Sequence, residues 1–490
     1  MRRPSAAATP RRYDLVVIGA GGAGITASRM AAALGARVAL VEAERVGGEC
    51  LWSGCVPSKA LLASAARAQD MREADRVGIG AVVPEIDFAR VMESVADVVA
   101  RAAELDDPDR LRSAGVEVIE ASGRFTGPGR ISAGRRELRV RAALVASGSK
   151  PQIPDIPGLR EASPLTNENV FELRELPRRL VVLGGGPTGC ELGQALARLG
   201  AEVTLVERDE RLLAGEEPEA SEMVESRFRG EGISVRTACE VSAVERAHGE
   251  LRVQLAVAGA SAEPLACDRV LVALGRRPAT GALGLDSIGL GTAASGAIEV
   301  DERMQTAVPH VYAAGDAAGP PYLSHAAGYE GLIAVAQALF RVGPRIDRRT
   351  IPAATFCDPE VARVGRTEEE ARAELGADPL VFFHDHREHD RALTARAEGF
   401  SKLVTDRRGK LLGATLVGPA AGDAIAETAR LVRQGRGIGD LSQVVHAYPT
   451  FAESPVRAAE KWWPHRYLTP RTRRLMRPAL ALARLLDSPR

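Results

Sequence analysis

The chain has 490 residues, of which 45% are hydrophobic, so it is long enough for about three domains with buried cores. Its 64 basic and 64 acidic residues cancel, which argues against nucleic acid or a membrane surface as a partner of the whole chain. Six cysteines are too few for a secreted disulfide scaffold, and no apolar run is long enough to span a bilayer, so we expect a cytoplasmic protein. Residues 1–11 are basic but lack an apolar segment, and we expect a disordered leader there, not a signal peptide.

The first predicted element is a Rossmann-type βαβ unit at residues 16–42, VVIGAGGAGITASRMAAALGARVALVE. A Val-rich strand runs into a GxGxxG loop formed by Gly19, Gly21 and Gly24, a helix follows, and a second strand ends at Glu42. The three glycines permit a tight turn, the close approach of a pyrophosphate, and packing of the helix on the strand. Glu42 would accept hydrogen bonds from ribose hydroxyls.

Two cysteines, Cys50 and Cys55, follow within the segment GGECLWSGCVPSK at residues 47–59. We expect Pro57 to be the first residue of a helix, which places both sulfurs at a helix N-terminus, where a thiolate is favoured. A structural pair or a zinc half-site is the alternative, but no second Cys/His pair with ligand spacing lies nearby and Lys59 would repel a metal ion. We therefore interpret the pair as redox-active. The other cysteines are interpreted as small core residues: Cys190, Cys239, Cys267 and Cys357.

The βαβ pattern is repeated at residues 181–207, VVLGGGPTGCELGQALARLGAEVTLVE. The glycines of the second copy stand in the same register: Gly184, Gly186 and Gly189. Its second strand again leads to an acid, Glu207, which favours NAD(H) because a 2′-phosphate would face a carboxylate. Arg208 and Arg211 could compensate for that charge, so NADP(H) stays an alternative.

Five further motifs follow in order along the chain: Ala146-Ser147-Gly148-Ser149, Gly275-Arg276-Arg277-Pro278, Tyr312-Ala313-Ala314-Gly315-Asp316, Phe356-Cys357-Asp358-Pro359-Glu360 and His446-Ala447-Tyr448-Pro449-Thr450. With these motifs, roughly residues 12–465 resemble the pyridine nucleotide-disulfide oxidoreductases, the family of dihydrolipoamide dehydrogenase, glutathione reductase and mercuric reductase. The resemblance implies an α/β fold with two Rossmann-like nucleotide-binding domains, for FAD and NAD(P), and a C-terminal α+β dimerisation domain. The implied boundaries are residues 12–150 and 278–345 for the FAD domain, 151–277 for the NAD(P) domain, 346–465 for the dimerisation domain and 466–490 for a basic tail.

The resemblance also implies roles for individual residues. FAD would be bound by the first Rossmann unit and two later motifs: Gly19, Gly21, Gly24, Glu42, Ser147, Gly148, Gly315 and Asp316. NAD(P) would be bound by the second unit and one later glycine: Gly184, Gly186, Gly189, Glu207 and Gly275. Lys59 would pair with Glu191 near the flavin. Cys55 would be the charge-transfer thiolate nearer the flavin, and Cys50 the interchange thiol that meets the acceptor.

The sequence departs from the family pattern at Tyr448. Disulfide reductases usually carry His-x-His-Pro-Thr-x-x-Glu there, and the second His, supplied by the partner subunit, protonates the departing thiolate. A phenol with a pKa of about 10 shuttles protons poorly at neutral pH, whereas an imidazole has a pKa of about 6.5. Glu453 keeps the acidic position but lacks its imidazole partner unless His446 substitutes. A second departure is Pro187, which stands where the family has a lid tyrosine over the nicotinamide site.

Tyrosine at position 448 resembles mercuric reductase, in which the acceptor is a metal ion that needs ligands. No N-terminal metal-binding domain precedes the FAD unit and no cysteine follows Cys357, so we expect no delivery of Hg(II) by C-terminal thiols. The sequence thus predicts a homodimeric FAD enzyme that oxidises NAD(P)H, with Tyr448 and Glu453 of the partner subunit lining the acceptor site. The acceptor could be Hg(II), Cu(II), a quinone or an unusual disulfide. The alternatives are dihydrolipoamide dehydrogenase and a flavoprotein redox sensor or electron-transfer subunit.

Two polar or basic segments lie outside these motifs. Residues 384–390, HDHREHD, could suggest a metal site with His384 and His386 on one face of a strand, but we favour a polar strand edge and predict no metal site. Residues 466–490 are basic and rich in leucine, which suggests an amphipathic helix. We favour packing on the dimer or fraying for this tail over peripheral membrane contact, which would suit a quinone acceptor.

Overall fold

The structure, a computed structural model, describes residues 12–247 and 249–486. The leader predicted at residues 1–11 lies outside the described residues. Across the described ranges, no helix is both long and apolar enough to cross a membrane.

The strands of the described residues are, in chain order, β1 (Tyr13–Ile18), β2 (Val38–Glu42), β3 (Val116–Glu120), β4 (Gly123–Gly127), β5 (Arg130–Ala133), β6 (Arg136–Val145), β7 (Ser149–Pro151), β8 (Arg179–Leu183), β9 (Glu202–Val206), β10 (Ser234–Arg236), β11 (Cys239–Ala247), β12 (Glu250–Val257), β13 (Ala260–Cys267), β14 (Arg269–Val272), β15 (Arg276–Pro278), β16 (Val311–Ala313), β17 (Ala353–Thr355), β18 (Val361–Gly365), β19 (Leu380–Asp385), β20 (Phe400–Thr405) and β21 (Leu411–Val417).

The α-helices of the same residues are, in chain order, α1 (Gly22–Ala33), α2 (Gly48–Trp52), α3 (Cys55–Arg72), α4 (Phe88–Ala103), α5 (Pro108–Ser113), α6 (Pro187–Arg198), α7 (Pro218–Gly230), α8 (Ser324–Phe340), α9 (Glu368–Leu375), α10 (Asp390–Ala395), α11 (Ala421–Gln434), α12 (Ser454–Glu460), α13 (Trp462–Tyr467) and α14 (Pro470–Leu486).

The chain forms two compact units. The first contains the described part of Met1–Glu210 together with Glu231–Arg348. Its larger sheet has the order β3-β2-β1-β6-β5-β4, with β16 beside β6. β1 is central and parallel to both neighbours, Leu15 pairing with Val38 of β2 and with Ala142 of β6. Since its apolar run is covered on both faces, β1 forms the centre of the core of this sheet.

The second Rossmann unit repeats this arrangement within the same compact unit. Its parallel sheet has the order β10-β9-β8-β14, and Leu180 of β8 pairs with Val203 of β9. α6 begins at Pro187. Proline is favoured at the first helical position because the N–H that it lacks would have no intrahelical acceptor there. An antiparallel sheet of β11, β12 and β13 follows. The two successive βαβ units confirm the predicted pair of Rossmann-like domains.

The second compact unit contains Arg211–Gly230 and the described part of Arg349–Arg490. Its antiparallel sheet has the order β17-β18-β21-β20-β19, and α11 and α12 pack on it. The core between them includes Phe382, Leu403 and Trp462. A C-terminal α+β domain was predicted for this part of the chain, and the observed elements confirm that class.

The segment Arg211–Gly230 lies within the predicted NAD(P) domain but groups with the C-terminal unit. A charge cluster explains this grouping. The ammonium of Lys402 is 3.0 Å from Glu217, 2.8 Å from Glu219 and 2.9 Å from Glu368. The Lys402 side chain is 3% exposed, and a buried ammonium requires such carboxylate partners. The predicted residue ranges of the FAD, NAD(P) and dimerisation domains stay predictions.

The segment at residues 384–390 differs from the expectation. β19 ends at Asp385, and His386 lies in the following turn of 3₁₀-helix. β19 is an edge strand of its sheet, as predicted, but His384, His386 and His389 are all buried, so these polar side chains do not face solvent. Each of these imidazoles finds at least one partner within the protein, although Nδ1 of His386 is buried without a hydrogen-bond partner among the described residues. No group of three or more His, Cys, Asp or Glu side chains in the described ranges is arranged to hold a metal ion.

Candidate functional site

Cys50 and Cys55 lie on two successive helices of the first unit. Cys50 is in the short helix α2, and Cys55 is the first residue of α3, which begins two residues earlier than expected. Pro57 is therefore the third helical residue, a position whose N–H also has no intrahelical acceptor. Gly54 joins the two helices, and a Cβ there would lie 3.0 Å from the carbonyl oxygen of Glu49 and 3.2 Å from Cα of Cys50. The absence of a side chain at Gly54 thus lets the two cysteines approach each other.

Both thiols are free, so the structure shows the pair in its dithiol form. A hydrogen bond from Cys50, with smaller contributions from Ser324 and Lys59, lowers the pKa of Cys55 to about 6 against the opposing effect of burial. The same hydrogen bond raises the pKa of Cys50, which is also partly buried. Ser324, the first residue of α8, lies 3.3 Å from the sulfur of Cys55. The site therefore contains one thiolate and one thiol at neutral pH.

Lys59, one turn into α3, forms an ion pair with Glu191 of α6. The ammonium of Lys59 donates to the carboxylate of Glu191 over 2.7 Å. The Glu191 side chain is only 8% exposed, whereas that of Lys59 is 37% exposed. The structure thus brings together the two residues predicted to pair across the first and second Rossmann units. Their role beside a flavin stays a prediction.

The first Rossmann loop leaves space that only glycine provides. A Cβ on Gly19 would lie 2.2 Å from the carbonyl oxygen of Ala146, and one on Gly24 would lie 1.8 Å from that of Gly19. A Cβ on Gly48 would lie 2.6 Å from Cα of Gly21. The backbone around Gly21 is therefore kept free of side chains, as a bound pyrophosphate requires.

Other residues around this loop fit a dinucleotide such as FAD. Both carboxylate oxygens of Glu42 accept backbone N–H groups, Ala20 at 2.6 Å and Glu44 at 2.8 Å, which fixes the carboxylate at the end of β2. The hydroxyl of Ser147 is buried and has no hydrogen-bond partner among the described residues. An orphaned hydroxyl is costly unless a ligand pairs with it, and Ser147 belongs to the predicted FAD site.

Asp316 lies in the turn after β16. Its carboxylate accepts a short hydrogen bond from Ser149 and lies 3.6 Å from the guanidinium of Arg276. The N–H of Gly315 donates to Glu330 over 2.7 Å, and Glu330 is held in turn by Arg348 at 2.8 Å. Ser149, Arg276 and Glu330 were not among the predicted site residues, although the first two stand inside motifs that the sequence displayed.

The second Rossmann loop has the same geometry as the first. A Cβ on Gly184 would lie 2.5 Å from the carbonyl oxygen of Ala273, and one on Gly189 would lie 1.9 Å from that of Gly184. Glu207 accepts backbone N–H groups from Gly185 at 2.6 Å and from Asp209 at 2.9 Å. At three further predicted glycines an added Cβ would meet no atom of the described chain within 4 Å, which leaves their faces open to a ligand: Gly148, Gly186 and Gly275.

Glu49, next to Cys50, is a further residue of the site that was not predicted from the sequence. Its carboxylate forms a short ion pair with Arg276 and accepts a hydrogen bond of 2.8 Å from Asn167. Burial raises the pKa of Glu49 to about 7, against the lowering effect of Arg276. Glu49 therefore titrates in the physiological range immediately beside the dithiol.

The C-terminal unit contains Tyr448 and Glu453. The phenol of Tyr448 donates to Asp390 over 2.8 Å, and Asp390 raises the pKa of this exposed phenol above its usual range. Glu453 pairs with Arg457 at 2.6 Å, and His446 pairs with Glu427 at 2.6 Å. His446 thus takes a different carboxylate and does not replace the imidazole that Glu453 lacks.

The three buried histidines support the segment that carries Tyr448. His389 donates from Nε2 to the carbonyl oxygen of Thr450 over 2.9 Å, and its Nδ1 lies 3.3 Å from Nε2 of His384. His386 lies 3.0 Å from the hydroxyl of Ser454. Burial and the proximity of His389 lower the pKa of both His384 and His386 to about 4, so these two rings are neutral at pH 7.

Comparison with protein families gives two adjoining matches. Residues 13–331 match the pyridine nucleotide-disulphide oxidoreductase family, and residues 351–459 match the dimerisation domain of the same family. Together these ranges include every predicted site residue. The second match supports a homodimer.

Individual relatives fall into different enzyme classes. The chain is 37% identical to a dihydrolipoyl dehydrogenase of Thermus scotoductus, over 92% of this chain and 97% of that enzyme. It is 34% identical to a mercuric reductase of Lysinibacillus sphaericus, over 91% of this chain and 82% of that enzyme. Among solved structures, the Cu(II) complex of the HOCl-induced flavoprotein disulfide reductase RclA from Escherichia coli is similar, with a TM-score of 0.82 and 26% identity over 92% of this chain and 99% of that chain.

Proposed function

Because the chain belongs to the pyridine nucleotide-disulphide oxidoreductase family, we propose that it passes electrons from NAD(P)H through the Cys50–Cys55 pair to a thiophilic metal ion. As in that family, it is an FAD-dependent NAD(P)H oxidoreductase. The metal ion is a substrate, Hg(II) or Cu(II), and not a resident cofactor. Four of the six cysteines are buried single thiols, so we expect the enzyme to work in the cytoplasm, where thiols stay reduced.

When bound, FAD would accept a hydride from NAD(P)H and would deliver two electrons to a disulfide. The residues of the chain then act as follows. Cys55 is a thiolate above a pH of about 6, and a thiolate is the form that binds a soft metal ion. The two sulfurs lose two electrons in forming an S–S bond, and the proton on Cys50 leaves to solvent. These electrons reduce one Hg(II) to Hg(0) or two Cu(II) to two Cu(I), so the step balances without a further reductant.

The observation that supports a metal acceptor is the state of Tyr448. A departing thiolate needs an acid with a pKa near neutrality, and Asp390 shifts the phenol of Tyr448 further from that range. Reduction of a metal ion breaks no S–S bond of the acceptor, so it does not depend on such an acid in the way that dithiol–disulfide exchange does. The similarity to the mercuric reductase of Lysinibacillus sphaericus and to the Cu(II) complex of RclA favours the same class of acceptor.

Dihydrolipoyl dehydrogenase is the second candidate function. The 37% identity to the enzyme of Thermus scotoductus favours it. In that case Glu49, with a pKa of about 7, is the group of the first unit that could exchange a proton beside the dithiol at neutral pH.

The two functions are separated by steady-state oxidation of NADH and NADPH with four acceptors: Hg(II) as its thiol complex, Cu(II), lipoamide and a soluble quinone. We expect Hg(II) or Cu(II) turnover that is lost in Cys50→Ser and in Cys55→Ser. Cys239→Ser is the matched control because Cys239 is a buried thiol of the second Rossmann unit. Lipoamide turnover without metal turnover would reject the proposal in favour of the dehydrogenase. Silence with every acceptor would instead favour a redox sensor.

A further inference from the structure

The C-terminal helix α14 is exposed along its whole length. It contains Pro470–Leu486, and none of these described residues is buried. Its large apolar side chains are between 51% and 76% exposed: Leu475, Met476, Leu480, Leu482, Leu485 and Leu486. Both family matches end before this helix, the later one at residue 459. The helix is therefore an addition to the domains that the family shares, and it presents apolar surface that the described chain leaves uncovered.

The side chains of α14 are sorted by chemistry around the helix axis. At about 100° per residue, Leu475, Leu482 and Leu486 project within an arc of about 40°. Arg473, Arg477 and Arg484 project within a similar arc on the opposite side. Leu480 lies beside the arginine arc and Arg471 beside the leucine arc, so the separation is partial. One face is still mainly apolar and the other mainly basic, which is the pattern of helices that lie in a membrane interface.

Charge decides what kind of surface fits this helix. Residues 462–486 contain six arginines and no aspartate or glutamate: Arg466, Arg471, Arg473, Arg474, Arg477 and Arg484. A second copy of the helix could cover the apolar face, but it would supply no acidic side chain to the arginines. An anionic bilayer offers acyl chains to the apolar face and phosphate groups to the arginines at the same time.

Aromatic side chains stand immediately before the helix. Trp463 and Tyr467 of α13 stack with ring centroids 5.4 Å apart, and they are 38% and 51% exposed. Tryptophan and tyrosine are enriched where a membrane meets water because each has an apolar ring and a polar tip.

We propose that residues 462–486 attach the enzyme to the surface of an anionic phospholipid bilayer, with α14 lying in the plane of the interface. The apolar face lies among the acyl chains, and Arg473, Arg477 and Arg484 lie at the headgroups. With 17 residues the helix is about 25 Å long, which suits a surface position. This inference concerns attachment and does not depend on the electron acceptor.

The test is co-sedimentation of the full-length, FAD-loaded enzyme with vesicles of phosphatidylcholine, with and without phosphatidylglycerol. We expect binding to the anionic vesicles alone, and its loss at high salt. Arg473→Gln with Arg477→Gln should weaken binding about thirtyfold, because each arginine near an anionic surface contributes about 1 kcal/mol. The matched control removes two exposed charges elsewhere, Arg407→Gln with Arg408→Gln, and should bind as the wild type does.

A second pair of variants tests the apolar face. Leu475→Ser with Leu482→Ser should abolish binding, whereas Leu34→Ser with Leu105→Ser, which removes two other exposed leucines, should not. Deletion after Thr469 should abolish binding and leave the oligomeric state, measured by light scattering, unchanged. The proposal is overturned if the wild type ignores anionic vesicles, if it binds neutral vesicles equally well, or if the truncated enzyme still binds. Dissociation of the truncated enzyme into monomers would show a subunit contact in place of a membrane contact.

Discussion

The phenol of Tyr448 donates a hydrogen bond of 2.8 Å to the carboxylate of Asp390, from a position 58 residues away in the chain. A carboxylate that accepts this bond favours the protonated phenol, and it raises the pKa of Tyr448. The residue that replaces the usual acid–base histidine is therefore held protonated at neutral pH.

Removing this carboxylate should lower the pKa of Tyr448. Asp390→Ala should bring it back towards the value of about 10 for a free tyrosine. A spectrophotometric titration of phenolate absorbance measures it, with Tyr448→Phe used to subtract the other tyrosines. Asp378→Ala, which removes an exposed carboxylate of the same unit, is the matched control. An unchanged Tyr448 titration in Asp390→Ala would show that the hydrogen bond is absent in solution.

Restoring the histidine should shift the enzyme towards dithiol chemistry. Tyr448→His should raise lipoamide turnover by at least about tenfold, because a positioned acid–base group contributes about 10²–10⁴-fold. The measurement is kcat/KM for lipoamide and for Hg(II) as its thiol complex. Tyr448→Phe controls for loss of the phenol alone. An equal gain in Tyr448→Phe would assign the effect to relief of crowding, and no gain in either would locate the limit in the shape of the acceptor site.

The reactivity of Cys55 should follow its low pKa. In the reduced enzyme the alkylation rate of Cys55 should rise with pH through a midpoint of about 6, since the thiolate is the reacting form. Cys50→Ala removes the hydrogen bond that contributes most to the lowering, so the midpoint should move up towards about 8.5. Ser324→Ala should move it in the same direction by less. Mass spectrometry of trapped peptides gives the rates.

The buried thiols provide an internal control for that experiment. Cys239 and Cys267 are buried, and burial raises the pKa of each, so they should react slowly at every pH. A Cys55 midpoint that matches a free thiol in the wild type would contradict the assigned thiolate.

The sequence predicted the parts of the fold that depend on local spacing. The glycine spacing of Gly19, Gly21 and Gly24 requires a strand, a tight turn and a helix within one short segment, and its repetition gave the second unit. The Lys59–Glu191 contact joins residues 132 positions apart, and it was predicted because the family resemblance supplied it.

Long-range polar contacts without a motif were not predictable. Asp390 stands in a polar run, and only the fold brings it to Tyr448. The same run suggested a polar strand edge because His384, His386 and His389 are polar by composition, yet all three are buried and each ring has at least one partner inside the protein. Lys402 belongs to none of the sequence motifs, and its burial depends on carboxylates up to 185 positions away.

Glu207 should discriminate between the nicotinamide cofactors. Its carboxylate is fixed by the N–H groups of Gly185 and Asp209, at the position that reads the ribose in a Rossmann unit. Glu207→Ala should raise KM for NADH several-fold and KM for NADPH less, because Arg208 remains to meet a 2′-phosphate. Glu202→Ala, an exposed acid at the start of β9, is the matched control. Equal losses for the two cofactors would show that Glu207 does not contact the ribose.

The buried histidines should make stability depend on pH. His386 has a folded pKa of about 4 against about 6.5 in the unfolded chain, so the unfolded state binds the extra proton between these values. Stability should therefore fall as pH drops from about 6.5 to about 4, by up to about 1.4 kcal/mol per pH unit for each such histidine. Glu216 and Glu330 change stability with pH in the opposite direction, since burial raises the pKa of each. Both residues are present in the wild type and in the histidine variants, so their contribution cancels when these proteins are compared.

His386→Gln removes one group that takes up a proton on unfolding. The loss of stability between pH 7 and pH 5 should therefore be smaller than in the wild type. Urea unfolding at both pH values measures the difference, and any loss of packing at pH 7 is common to the two measurements. His310→Asn, at an exposed position with φ of 67° that asparagine tolerates, should keep the wild-type dependence. If His386→Gln lost as much stability as the wild type on acidification, His386 would already be protonated in the folded protein, and the buried cluster that supports the Tyr448 segment would be charged, not neutral.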